Sequence, residues 1–149
     1  MKRLIFCAAF AVLLSLSSVS AEEWEVYDWE ISLEEARERA VAEDKEIMYY
    51  FAGSDWCGWC ERLVGEVFSQ ELFRSFEERF VVPVLIDFPR EREISAELQE
   101  RNAGLSDEFE VEGYPTVVIL SAEGEQVFRT GYRPGGAGAY VNHLLPYVR

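Results

Sequence analysis

The run Ile47-Met48-Tyr49-Tyr50-Phe51-Ala52 limits the fold more than any other stretch of this chain. It shows no alternation of apolar and polar residues. A strand with one wet face would alternate, whereas a run apolar on both faces reads as a central strand covered by helices on both sides. Gly53-Ser54-Asp55 breaks the run as a turn. Trp56-Cys57-Gly58-Trp59-Cys60 comes next, and Cys60, Leu63, Val64 and Val67 continue at helical spacing, so a helix is expected to begin at or near Cys57. A Cys-x-x-Cys pair therefore stands where a buried strand hands over to a helix.

The remaining elements follow the same logic. Ser32 with Glu35 three residues on is a capping box, and it opens a helix to about Glu43 that is expected to bury Leu33, Ala36, Ala40 and Val41. Trp24, Tyr27 and Trp29 form an aromatic lead-in. Ser69 reads as a fresh cap, followed by Leu72, Phe73, Phe76 and Phe80 on one helical face. Residues 80–88 read as a buried strand, with Pro83 placing its proper start after that residue. A short helix is expected from Ile94 to about Asn102, with Gly104 as its stop. Thr116 to Leu120 and Gln126 to Thr130 read as strands joined through Ala122-Glu123-Gly124-Glu125. A Gly-rich link, 131–138, leads to a closing helix from Ala139 to Val148 that turns Val141, Leu144, Leu145 and Val148 inward.

The first residues read as a targeting segment rather than as fold. Lys2 and Arg3 precede a nearly unbroken apolar stretch from Leu4 to Leu16, and Val19-Ser20-Ala21 offers small residues at the exit. That is the pattern of a secretory signal peptide over residues 1–21, with Cys7 as filler in its apolar part. The stretch falls short of the roughly 20 residues a membrane-spanning helix needs. Residues 22–149 then form one domain, periplasmic or secreted, with no stable membrane insertion after cleavage. The whole chain has 28 acidic against 14 basic residues and a net charge of −14, which argues against nucleic acid as a partner.

Cysteine usage narrows the chemistry. An exported chain meets an oxidising compartment, where a domain stapled by disulfides would carry several pairs. Here only Cys57 and Cys60 remain, and a bridge between them closes a tiny loop of little entropic value. Redox exchange explains such a pair better than stabilisation does. Zinc is the rival, but a structural site takes four Cys or His ligands, and only His143 could join this pair. His143 itself reads as a surface or edge residue.

The order of elements, the pentapeptide 56–60, Gly113-Tyr114-Pro115-Thr116 before the third main strand and Gly131 after the hairpin together resemble the thioredoxin family. Phe51 to Cys60 and Asp87-Phe88-Pro89-Arg90 are similar to exported bacterial members. The resemblance implies an α/β thioredoxin-like fold: a central mixed β-sheet flanked by helices, with an extra N-terminal helix. It implies catalytic Cys57 and Cys60, Cys57 attacking as a thiolate favoured at a helix N-terminus and Cys60 resolving the mixed disulfide. It implies a cis Pro115 beside the reactive sulfur. Trp56, Gly58, Trp59, Tyr114, Pro115, Thr116 and Gly131 become the candidate substrate-binding residues.

The Gly58-Trp59 dipeptide does not declare a direction of electron flow; reduction of client proteins is the expectation taken forward. No cofactor is expected beyond the redox-active disulfide itself. The expected partners are client proteins with thiols or disulfides and an unidentified redox partner, met by a monomer. The alternative is a redox-inactive thioredoxin-fold binding or chaperone module. One departure stands out. Typical relatives bury an aspartate in the strand before the motif, and Ile47 to Ala52 contains no acid. Asp55 and Glu61 are the nearest carboxylates, and both read as solvated surface groups.

Overall fold

The computed structural model describes residues 26–29 and 32–149. The signal segment expected at 1–21, the domain boundary drawn after it and Trp24 of the aromatic lead-in lie outside the described residues. Among those described, no helix is long and apolar enough to cross a membrane.

After a 3-10 turn at Val26–Trp29, the order is α1 (Leu33–Glu43), β1 (Glu46–Ala52), α2 (Gly58–Leu63), α3 (Glu71–Phe80), β2 (Val81–Asp87), α4 (Ala96–Glu108), β3 (Thr116–Leu120), β4 (Gln126–Gly131) and α5 (Gly136–Leu144). A π-helical segment, Val64–Phe68, continues α2, and a 3-10 turn at Leu145–Tyr147 follows α5. The strands form one mixed sheet in the order β2-β1-β3-β4. β1 runs parallel to β2 and antiparallel to β3, and β3 is antiparallel to β4.

The two-faced burial of β1 is the organising fact. Every residue of β1 and of β2 is buried. Successive side chains of a strand point to opposite faces, so β1 feeds two cores. Met48, Tyr50 and Ala52 meet Leu63, Phe68, Phe73, Tyr140 and Leu144 on the face covered by α2, α3 and α5. Ile47, Tyr49 and Phe51 meet Ala36, Ala40 and Leu105 on the face covered by α1 and α4. Trp29 joins the first core through ring contacts with Tyr50, Phe68 and Phe73, and its indole N–H donates to Glu77 at 3.1 Å.

Several expectations are corrected. Ser32 does cap α1, accepting from the Glu35 N–H at 3.0 Å, but Val41 is exposed, because Ala36 and Ala40 already define the face against the sheet. Gln70, not Ser69, precedes α3, and Leu72 faces outward beside buried Phe73 and Phe76. Pro83 lies within β2, opposite Met48. β2 is an edge strand among the described residues, and an edge accommodates a residue with no N–H to donate.

Helix α4 runs straight through Gly104. Its real stop is a left-handed Glu110 (φ 47°), with Glu110 N–H bonded to the Asp107 carbonyl and Val111 N–H to the Ser106 carbonyl. This is a Schellman closure, with glutamate where glycine is usual. Helix α5 starts three residues before Ala139 and ends at Leu144, leaving Leu145 exposed.

Candidate active site

Cys57 and Cys60 are joined by a disulfide with a Cα–Cα distance of 5.2 Å. Cys57 is the N-cap of α2 with extended backbone (φ −94°, ψ 99°), and its Sγ accepts the Cys60 N–H at 3.3 Å. An N-cap side chain normally supplies oxygen to the unpaired N–H groups of the first turn. Here sulfur takes that place, so a thiolate released at Cys57 already has a donor aimed at it. Cys60 sits one turn inward at 2% exposure, against 7% for Cys57. Cys57, the residue expected to attack, is thus more buried than the sequence led us to expect, although it remains the more accessible residue of the two. Gly58 has nothing within 4 Å of where a Cβ would stand, so the approach over the turn is clear.

The candidate substrate residues divide into three groups. Trp56, 38% exposed, stands edge-on to Tyr114 at 5.9 Å, and Tyr114 stacks on Phe88 at 5.2 Å. Trp59, 55% exposed, turns the other way and meets Tyr132 at 5.1 Å. The Arg62 guanidinium lies 5.3 Å from the Trp59 ring and 5.5 Å from Tyr132. Glu66 on the π-helical segment accepts from the Tyr132 hydroxyl at 2.7 Å and from Arg62 at 3.1 Å, and those two bonds hold its carboxyl below the usual range.

Pro115, Thr116 and Gly131 form the third group. The Tyr114–Pro115 peptide is cis. Thr116 pairs with Gly131 across β3 and β4, and a Cβ on Gly131 would come 3.0 Å from the Pro115 carbonyl oxygen. Gly131 therefore backs the proline loop, and its contribution is the space it leaves.

Residues 47–52 carry no acid, but two buried acids flank them: Glu46 opens β1, and Asp87 ends the neighbouring strand. Asp87 ends β2, stands opposite Ala52 in the parallel register and is 2% exposed. Its carboxylate accepts from the Ser54 N–H (2.9 Å), the Ser54 hydroxyl (2.5 Å) and Arg92 Nη2 (2.8 Å). Asn102 of α4 donates to the Asp87 carbonyl at 2.8 Å. Sequence reading looked for the acid within the strand before the cysteines. The signal was Asp87 in the Asp-Phe-Pro-Arg segment, whose place under the turn only the strand register reveals.

Asp55 stays at the surface but is not free: backbone N–H groups of residues 90–92, that of Arg90 foremost, bond to its carboxylate and hold it below the usual range. Glu61 is exposed, as expected. Tyr50 lies under the pair, its hydroxyl 3.4 Å from the Cys60 carbonyl, and burial pushes its phenol far up, so it stays neutral. Among the described residues no group of three or more His, Cys, Asp or Glu is placed to hold a metal.

A dithiol–disulfide couple capping a helix that leaves a central strand, beside a cis-proline loop, defines a thiol–disulfide exchange protein. The thioredoxin-like domain family matches residues 33–140, and the chain belongs to that family. It is 36% identical over 116 residues to the disulfide bond reductase DsbH of Chlamydia pneumoniae, covering 78% of this chain and 69% of that protein. It is 27% identical to the thioredoxin-related protein DsbJ of the same organism, covering 99% of this chain and 43% of that one. A solved structure of a DsbH oxidoreductase superposes with a TM-score of 0.75 at 33% identity, over 79% of this chain and 82% of that one. The chain is a thioredoxin-like thiol–disulfide oxidoreductase.

Proposed function

We propose that the protein is an exported reductase of disulfides in client proteins, working in the periplasm or outside the cell. The observation that carries the redox chemistry is the Cys57–Cys60 disulfide with Cys57 as N-cap and the Cys60 N–H directed at its sulfur. Likeness to a protein named as a disulfide bond reductase supports the direction, and the leader-like residues 1–21 support export.

In the reduced enzyme the Cys57 thiolate attacks one sulfur of the client disulfide. The client S–S bond breaks, its other sulfur leaves as a thiolate and takes a proton, and a mixed disulfide joins Cys57 to the client. Cys60, deprotonated, then attacks Cys57 Sγ. The mixed disulfide breaks, the second client sulfur leaves as a thiolate and takes a proton from solvent, and the enzyme holds the Cys57–Cys60 bridge. Two electrons have passed from enzyme to client, and a separate dithiol donor must restore the enzyme. Trp56, Tyr114 and the Pro115 loop are the proposed resting place for the client's extended chain, with Trp59 as a second apolar contact.

Two measurements test this reading. Equilibration with thiol redox buffers should give a potential below about −230 mV, toward the thioredoxin value of about −270 mV. A value near the about −120 mV of a strong oxidant overturns the direction. Cys60→Ser, expressed in the host, should accumulate mixed disulfides through Cys57, and Cys57→Ser should form none. No captured protein and no insulin reduction would leave the binding-module alternative.

A further inference from the structure

The turn 53–56 and the loop 87–92 are locked to each other at three consecutive residues. Ser54 is held by Asp87, as described above. Asp55 gathers three successive backbone N–H groups: Oδ1 accepts from Arg90 at 2.9 Å, and Oδ2 accepts from Glu91 at 2.7 Å and Arg92 at 2.8 Å. Trp56 donates its indole N–H to the Phe88 carbonyl at 2.7 Å, and the Arg90 guanidinium lies 3.7 Å over its ring. Arg90 closes a cycle. Its backbone is bound by Asp55 and its side chain covers the residue next to Asp55 in sequence.

The Arg90 cation over the Trp56 ring therefore belongs to the segment that Asp55 binds, and the Phe88 carbonyl lies just upstream of it, where the Phe88 N–H is itself held by the Ala52 carbonyl at 2.8 Å. Successive N–H groups turned to one side form a concave anion site, which a carboxylate fills with charge-assisted bonds. Gly53 completes the arrangement, because a Cβ there would overlap the Trp56 indole.

We propose that Asp55 is a positioning residue for client recognition: by binding the backbone of residues 90–92 it fixes the Trp56 ring against Tyr114, beside the disulfide, as a preformed wall for the client chain. This rests on the reading that clients dock against Trp56 and Tyr114. A wall fixed beforehand costs a client no ordering of side chains on binding. Loss of Asp55 thus weakens client binding more than it slows the sulfur chemistry.

The test combines NMR hydrogen exchange of the Trp56 indole N–H with steady-state reduction of insulin, in wild type, Asp55→Ala, Asp55→Asn, Trp56→Ala and the double variant Asp55→Ala/Trp56→Ala. Asp55→Ala should speed indole exchange tenfold or more while the amide of Leu63 keeps its protection. It should raise KM for insulin about fivefold with kcat within twofold. Asp55→Asn, which keeps one acceptor oxygen, should fall between. Trp56→Ala should raise KM as well, and Asp55→Ala should add nothing further in that background. Indole exchange unchanged in both Asp55 variants overturns the positioning claim whatever the activity, and KM effects that multiply in the double variant overturn the link through Trp56. A wild-type protein that cannot reduce insulin instead overturns the client-reductase reading itself.

Discussion

Single residues decide how firmly the redox turn is held. Asp87 is nearly sealed from solvent and satisfies both groups of Ser54 and one nitrogen of Arg92. Removing a buried carboxylate strands its donors, and Arg92 is partly solvated, which moderates the loss. Asp87→Ala should therefore lower unfolding free energy by about 2–3 kcal/mol, read from urea titration at unchanged m. A loss below about 0.5 kcal/mol would mean that water replaces the carboxylate without cost. Gly53→Ala should cost about 1–3 kcal/mol by overpacking against Trp56 and should shift the fluorescence of the exposed indole. Gly58 behaves oppositely, since it has open space around it and Gly58→Ala meets no neighbour. The Cys57–Cys60 pairing and the cis Pro115 were legible in the sequence because each is local to a few positions. Asp87 and Asp55 were not. Their roles come from pairing residues more than 30 positions apart, which no spacing rule displays.

At the scale of elements, hydrophobic periodicity located the strands and most core positions of the helices, but it misplaced Val41, Leu72 and Leu145, which are exposed, and misjudged several ends. Gly104 looked like a stop because glycine weakens a helix by up to about 1 kcal/mol. Buried Asn102 and Leu105 on either side of it hold α4 together, and the Schellman closure at Glu110 ends it. The π-helical segment after α2 left no trace in composition, because one widened turn needs no special residue type. It nevertheless brings Glu66 to Tyr132. The join between the first 3-10 turn and α3 carries a pH signature. Burial raises the Glu77 carboxyl above its ordinary value, outweighing the Trp29 indole bond and Arg74. A carboxyl raised on folding favours the protonated native state, so its contribution is full below the unfolded pKa near 4.3 and is lost as pH rises through the folded value. Glu77→Gln keeps an acceptor for Trp29 and removes the charge. It should stabilise the protein at pH 7 by a few tenths of a kcal/mol, after discounting for partial solvent contact, and thermal melts should show that advantage vanish at pH 4. An equal effect at both values would refute the burial argument.

At the scale of the molecule, the layered plan follows from the six apolar residues Ile47 to Ala52, which make two-sided burial legible in the sequence itself. Net charge was equally legible, and its consequence belongs to the surface as a whole. A charge of −14 and a pI near 4.5 surround a site whose immediate rim is aromatic, with Arg62 and Arg90 laid over its tryptophan rings. Long-range attraction then acts on encounter, and the aromatic contacts act after it. The Debye length is about 10 Å at 0.1 M salt and about 3 Å at 1 M, so salt removes the first effect and leaves the second. Two disulfide-bonded peptides of equal length, one rich in lysine and one rich in glutamate, separate these contributions. Reduction of the basic peptide should slow several-fold in kcat/KM between 20 mM and 500 mM salt, about three- to tenfold, while reduction of the acidic peptide speeds up. At high salt the two rates should converge, because what remains on the proposed reading is exchange at Cys57 with the client docked against Trp56 and Tyr114. Salt dependence of one sign for both peptides would show that charge on this protein steers no client, and that selection happens wholly at the redox turn.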